Sequence, residues 1–162
     1  VDMYRKSYSM FCCTGILFNH ESQLRGPKFV TKKIIETAVK IKKGIENTLT
    51  LGNIDIHRDW GWAPEYVEAM WLMLQQNSPE DFIIATGKTN SLENFVCHAF
   101  QCLNLDYKKY IRTEQKFFRP LDIKYNLADP AKAAKLIGWK AKSDMYSVVE
   151  KLIDIELEKY QN

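Results

Sequence analysis

Residues 10–18, Met-Phe-Cys-Cys-Thr-Gly-Ile-Leu-Phe, form a nearly unbroken apolar run that stops at Asn19-His20-Glu21-Ser22. A run without polar alternation predicts a strand buried on both faces, the pattern of a parallel sheet flanked by helices. The polar residues behind it then read as a loop at the strand's C-terminal end, where open α/β sheets bind ligands. Such a strand needs neighbours on both sides. The rest of the chain supplies helices in abundance and few obvious strands.

After Gly26-Pro27, Val30, Ile34, Ala38 and Ile41 follow helical spacing as far as Gly44, a helix stop. Thr48 to Ile56 is β-like, with Gly52-Asn53 as a turn or bulge. Pro64 opens a helix whose broad face carries Tyr66, Val67, Met70, Trp71 and Leu74, and Tyr66, Trp71 and Trp139 read as core aromatics. Phe82 to Ala85 reads as a short buried strand, and Ser91 starts a helix running to Leu103. Residues 104–125 lack a clear period and predict loops with one short strand. Asp129-Pro130 caps a helix closed by Gly138, and Ser143 caps a final one. No repeat or linker interrupts the 162 residues, so a single α/β unit is expected.

Charge is informative once located. The formal total is +3, yet Arg25, Lys28, Lys32, Lys33, Lys40, Lys42 and Lys43 stand against Glu36 alone, a local net of +6. One segment is built to face anions. The scattered His20, His57 and His98 and the four cysteines show no metal-ligand spacing, and free cysteines among apolar neighbours suit a reducing, cytoplasmic setting. No apolar run is long enough to span a membrane. The start at Val1, with apolar patterning almost immediately, suggests a piece of something longer.

Two motifs are missing. The seven glycines are never closer than eight positions, so neither G-x-G-x-x-G nor a phosphate loop exists here. None of the eight tyrosines has a Lys four positions later, so no Tyr-x-x-x-Lys acid/base pair exists either.

What is present is a series of unusual polar motifs. Phe18-Asn19-His20-Glu21-Ser22 follows the apolar run, and Gly52-Asn53 leads to His57-Arg58-Asp59-Trp60-Gly61 before the Pro64 helix. Phe118-Arg119-Pro120-Leu121-Asp122 precedes Leu127-Ala128-Asp129-Pro130 and Leu136-Ile137-Gly138-Trp139. Read from residue types alone, each has an ordinary structural alternative. Asn19 can cap a strand end, the lysines can solvate a helix face, and Arg58 can pair with Asp59 over Trp60. Val30 suits helix packing as well as a pocket wall.

Together these motifs, with Arg58-Asp59-Trp60-Gly61 running into Tyr66-Val67-Glu68-Ala69-Met70-Trp71, resemble the C-terminal half of the GDP-mannose 4,6-dehydratase family. These are extended short-chain dehydrogenase/reductases of the epimerase/dehydratase class. The resemblance implies a fold in which about 1–20 ends a Rossmann-type sheet and about 21–162 form mainly the smaller mixed α/β domain that binds nucleotide sugar. It implies NADP as cofactor, GDP-mannose as substrate, and a homo-oligomer with no nucleic-acid or membrane partner. Catalytic Tyr, Lys, hydroxyl and Glu groups would lie upstream of Val1, leaving this chain inactive alone and without metal.

By the same resemblance His20 and Arg25 contact the cofactor, while Asn19, Lys33, Asn53, Arg58, Arg119 and Asp122 hold the nucleotide sugar. Two departures stand out. Gln23-Leu24-Arg25 replaces the family's Pro-Arg-Arg, and Asp122, one methylene shorter, replaces a ribose-binding Glu. Other readings are another nucleotide-sugar dehydratase, epimerase or reductase of the superfamily, or a basic nucleic-acid-binding module. The last needs aromatic platforms among the basic residues, and the 25–43 segment holds only Phe29.

Overall fold

Apolar residues at helical spacing dictate the largest elements. In a computed structural model describing residues 1–118 and 121–160, the chain runs through helix α1 (Asp2–Tyr8), strands β1 (Thr14–Leu17) and β2 (Asn19–Glu21), and helix α2 (Val30–Lys42). Strands β3 (Leu49–Leu51) and β4 (His57–Trp62) precede helix α3 (Ala63–Leu74), and strands β5 (Asp81–Ile84) and β6 (Thr89–Ser91) precede helix α4 (Leu92–Cys102). Strand β7 (Ile111–Thr113) lies between two single turns of 3-10 helix, before helices α5 (Ala131–Ile137) and α6 (Met145–Glu158). Helices α2 and α5 both run into glycines of positive φ, Gly44 at 73° and Gly138 at 66°, as expected for these stops.

The strands form three small sheets. β1 pairs in parallel with β5, Thr14 facing Asp81 and Leu17 facing Ile84. β4 is the middle strand of three, parallel to β2 and antiparallel to β6. β3 pairs in parallel with β7. Arg5 reaches across from α1 to bond Asp81, and Thr14 N donates to the same carboxylate. Arg5 foremost, and then Thr14, hold the Asp81 carboxyl down at about 2.

Two hydrophobic cores lie on either side of β4. In the larger, Ile34, Ile35, Ala38 and Val39 of α2 pack against Phe95, Val96, Ala99 and Phe100 of α4 and Val148, Val149, Leu152 and Ile153 of α6, with Leu49, Leu51 and Trp60 beneath them. The smaller joins Tyr66, Ala69 and Met73 of α3 to Phe82, Ile84, Ala133, Ile137 and Trp139. An ion-paired cluster closes the larger core. Lys32, nearly buried, meets Glu156 at 3.1 Å and Glu36 at 3.3 Å. Burial works against the Lys32 ammonium, but the two carboxylates outweigh it and its pKa is raised.

Several expectations need correction. The 10–18 run is a strand only from Thr14, with Met10 and Phe11 exposed and Ile16 52% exposed, because β1 has one sheet neighbour among the described residues. Asn19–Glu21 is a strand rather than a loop, since β4 offers it a parallel partner. The β-like stretch 48–56 keeps ladder pairing only over β3. Trp71 is not core: it is 61% exposed, with Val67 and Leu74 also facing outward. Asp144, not Ser143, caps α6 by accepting from Ser147 N. Ser143 is engaged instead with Glu65, which lies across from it on α3.

Candidate functional site

Strand alternation sorts the Asn19-His20-Glu21 motif onto two faces. Asn19 and Glu21 line a cavity of about 330 Å³, the lower end of the range for ligand pockets. His20 points the other way, its Nδ1 2.8 Å from Phe18 O and its ring 5.0 Å from that of Tyr66. A carbonyl can only accept, so Nδ1 carries a hydrogen.

Arg58 lies in strand β4, not in a loop, and its side chain is only 14% exposed. Its Nη1 donates to His57 O at 2.7 Å and Ile123 O at 2.6 Å, and Nη2 to Asp122 Oδ1 at 2.6 Å. Two site residues 64 positions apart are thus brought together. Of the five guanidinium hydrogens, Nε–H and one on Nη2 stay uncommitted among the described residues. The Arg58–Asp59 alternative fails on the same alternation. Asp59 is fully buried on the opposite face and accepts from Thr86 N at 3.0 Å and Gly87 N at 2.7 Å. Burial pushes the Asp59 carboxyl up, against those bonds.

Around the mouth stand Arg25, Lys28 and Lys33, with Arg58 deeper in, so four cations face one space. Lys33 Nζ also donates to Thr50 O at 2.6 Å. The first turn of α2 borders the same cavity through Phe29, Val30 and Thr31, and no side chain caps it. Its free N–H groups add positive potential. Asn53 uses Oδ1 on its own turn, accepting from Asp55 N at 2.9 Å, which leaves the amide NH2 for the cavity it lines. Val30 lines the cavity and packs on the larger core as well, so its two alternatives are not exclusive. Trp60, Leu51, Ile56 and Leu92 make the apolar floor.

Gly52 is required by close approach. A Cβ there would lie 2.5 Å from Phe117 O. The 3-10 turn ending at Phe117 can therefore seat directly on β3's end and bring its ring to the cavity wall.

The residue that sequence reasoning missed is Glu21. It is 1% exposed, yet it borders the cavity. Its Oε2 accepts from Thr31 Oγ1 at 2.7 Å and meets Arg25 Nε at 3.2 Å, while Phe29 lies under the Arg25 guanidinium at 3.6 Å. Burial raises the Glu21 carboxyl, opposed by Thr31 and Arg25. The one signal for it in the sequence is its place two residues after Asn19, hence on the same strand face. Arg119 lies outside the described residues.

The structure brings Asn19, Arg25, Lys33, Asn53, Arg58 and Asp122 to one cavity and leaves His20 on the reverse face of β2. Among the described residues no three His, Cys, Asp or Glu are placed to hold a metal. No helix among them is long and apolar enough to cross a membrane.

Solved structures share the fold. A Pseudomonas aeruginosa RMD complexed with NADPH superposes with TM-score 0.87 at 14% identity, covering 97% of this chain and 52% of that one. A Bacillus anthracis dTDP-glucose 4,6-dehydratase in complex with NAD gives TM-score 0.80 at 16% identity, covering 97% and 48%. The fold is thus one that these two proteins share over about half of their own length. The family model for GDP-mannose 4,6 dehydratase matches residues 1–152. Curated GDP-mannose 4,6 dehydratases are similar throughout: number 2 of Arabidopsis thaliana at 44% identity over 155 residues, and that of Homo sapiens at 37% over 173. The chain belongs to the GDP-mannose 4,6-dehydratase family. It spans 42% of the plant protein's length and 46% of the human one's.

Proposed function

We propose that this chain is the nucleotide-sugar-binding part of an NADP-dependent GDP-mannose 4,6-dehydratase, a cytoplasmic, homo-oligomeric lyase forming GDP-4-keto-6-deoxymannose. The observation that carries the reading is the convergence of Arg25, Lys28, Lys33, Arg58 and an uncapped helix start on a cavity that also offers Asn19, Asn53 and Asp122. A diphosphate needs several cations, and guanidinium suits its planar oxygen pairs. In this role Arg58, aligned by Asp122 and two carbonyls, turns its uncommitted hydrogens to phosphate oxygen, with Lys33 adding charge. Asp122 accepts from ribose hydroxyls as well as from Arg58. Residues 1–20 end the cofactor-domain sheet and the remainder forms mainly the substrate domain.

Toward the cofactor the chain offers His20 on the reverse face of β2 and Arg25 on the cavity side, two separate contacts of the kind that the hydroxyl and phosphate groups of a pyridine dinucleotide take. Such a cofactor supplies removal and return of a hydride at the sugar. With no Tyr-x-x-x-Lys and no glycine turn in its sequence, this chain binds and orients, and by itself turns over no sugar.

The basic segment does not favour a nucleic-acid role. Lys32 pairs with Glu156 and Lys40 with Glu46, while the cations near the start of α2 gather at the cavity. Calorimetry on the complete protein carrying this chain tests the proposal. GDP-mannose should bind more tightly than UDP- and dTDP-sugars, and preference for either of the latter would overturn the assignment.

A further inference from the structure

Glu21 is an odd residue to bury in a cavity built for anions. One oxygen, Oε2, accepts from Thr31 Oγ1 and is ion-paired with Arg25, whose Nε–H makes no hydrogen bond among the described residues. The other, Oε1, is buried and has no hydrogen-bond partner among the described residues. A buried acceptor left unpaired costs free energy, so it calls for a partner. A carboxylate oxygen can only accept, and phosphate oxygens only repel it. What satisfies Oε1 is therefore an O–H or N–H donor, and in a nucleotide sugar the groups that carry one, base and sugar hydroxyls, are neutral.

Position narrows the choice. Glu21 faces Trp62 across the β2–β4 ladder, four residues along β4 from Arg58. At about 3.3 Å per residue the two strand positions are roughly 13 Å apart. A ligand that puts its diphosphate at Arg58 and Lys33 reaches Glu21 only with the group attached to that diphosphate.

We propose that Glu21 is a specificity residue of this site, whose free carboxylate oxygen accepts a hydrogen bond from a neutral donor flanking the ligand's diphosphate, either a base N–H or a sugar hydroxyl. Thr31 and Arg25 fix the carboxylate, and Phe29 fixes Arg25. The inference rests on the nucleotide-sugar reading and adds a discriminating contact to it.

The test is Glu21→Gln in the complete protein carrying this chain, with folding checked by thermal melting. Arg25 is donor-only and disfavours an amide NH2 beside it, which turns the NH2 to where Oε1 stood. A donor then faces a donor. GDP-mannose affinity should fall about tenfold or more, the lower bound for hydrogen bonds to charged groups. GDP separates the two sources: an equal loss for GDP points to the nucleoside, and an undiminished GDP affinity to a sugar hydroxyl. The ligand side repeats the test without altering the fold, using N1-methyl-GDP, inosine diphosphate and singly deoxygenated GDP-mannose analogues on the wild-type protein. One of these should lose about tenfold. Equal or tighter binding by Glu21→Gln, or no loss with any analogue, overturns the role of Glu21 while leaving the nucleotide-sugar reading intact. Failure of the wild-type protein to bind GDP-mannose would overturn both.

Discussion

Arg58 is a scaffold residue first, and the proposed clamp on the ligand is built on that scaffold. Its three bonds tie β4 to Asp122 and Ile123, which lie far away in sequence. Arg58→Ala should weaken GDP-sugar binding in the complete protein by about 1.5–3 kcal/mol, the range for hydrogen bonds to charged groups. Calorimetry would show it, and unchanged affinity would remove Arg58 from the diphosphate. Glu21 predicts a pH effect of definite sign. Burial raises its carboxyl above the ordinary 4.5, so above that value the native state holds more protons than the unfolded one. Stability contributed by this group then falls as pH rises through the folded pKa. Glu21→Gln lacks the titration, so relative to wild type it should gain stability between pH 4 and pH 8. Urea melts at the two pH values would reveal a gap that widens with pH. A gap that narrows would contradict the raised carboxyl.

At the scale of elements, the cavity depends on a few close contacts. Gly52→Ala pushes a methyl group into the Phe117 carbonyl. Overpacking of this kind costs about 1–3 kcal/mol and should displace the turn that walls the cavity. Chemical denaturation should show the loss of stability, and ligand titration the accompanying loss of affinity. Phe95, fully buried, sits against the ring of Trp60 at 5.3 Å between centroids. Phe95→Ala should cost about 3–5 kcal/mol and loosen the cavity floor. Helices α2 to α6 were legible in the sequence because their apolar residues recur at helical spacing, and α2 and α5 also because their stops are glycines, whereas α1 buries no residue and left no such pattern. Strands β2 and β6, Asn-His-Glu and Thr-Asn-Ser, carry no β pattern at all. Only the ladder with β4 makes them strands, and that pairing is invisible in a local window. The site was legible through its motifs. Arg58 and Asp122 were both foreseen, but their mutual contact was not, since it depends on chain return over 64 positions. Glu21 escaped because its burial is created by Thr31 and Arg25 folding over it.

Across the whole molecule, apolar surface is unevenly covered. Val67, Trp71 and Leu74 of α3 are exposed, as are Met10, Phe11 and Ile16 near β1. Parallel strands are ordinarily buried on both faces, whereas the β1–β5 pair has no further strand among the described residues. The 162-residue chain taken alone should therefore self-associate through an open edge and this apolar face. Light scattering should detect it, and the double change Ile16→Lys with Trp71→Lys should suppress it. Strong hydrogen-exchange protection of residues 14–17 in a strictly monomeric sample would argue the opposite.

The ladders also have a timetable. β1 pairs with a strand whose first residue is 67 positions further on, since Thr14 faces Asp81. Synthesis at about 5–20 residues per second means that β1 leaves the ribosome roughly 3 to 13 seconds before its partner exists. For that interval Gly15, Ile16 and Leu17 lack the one sheet partner they have among the described residues. The α2 helix, built from local contacts, can begin to form meanwhile. The order of translation thus makes closure of the β1–β5 ladder a late step, set by the arrival of Asp81–Ile84 rather than by β1 itself.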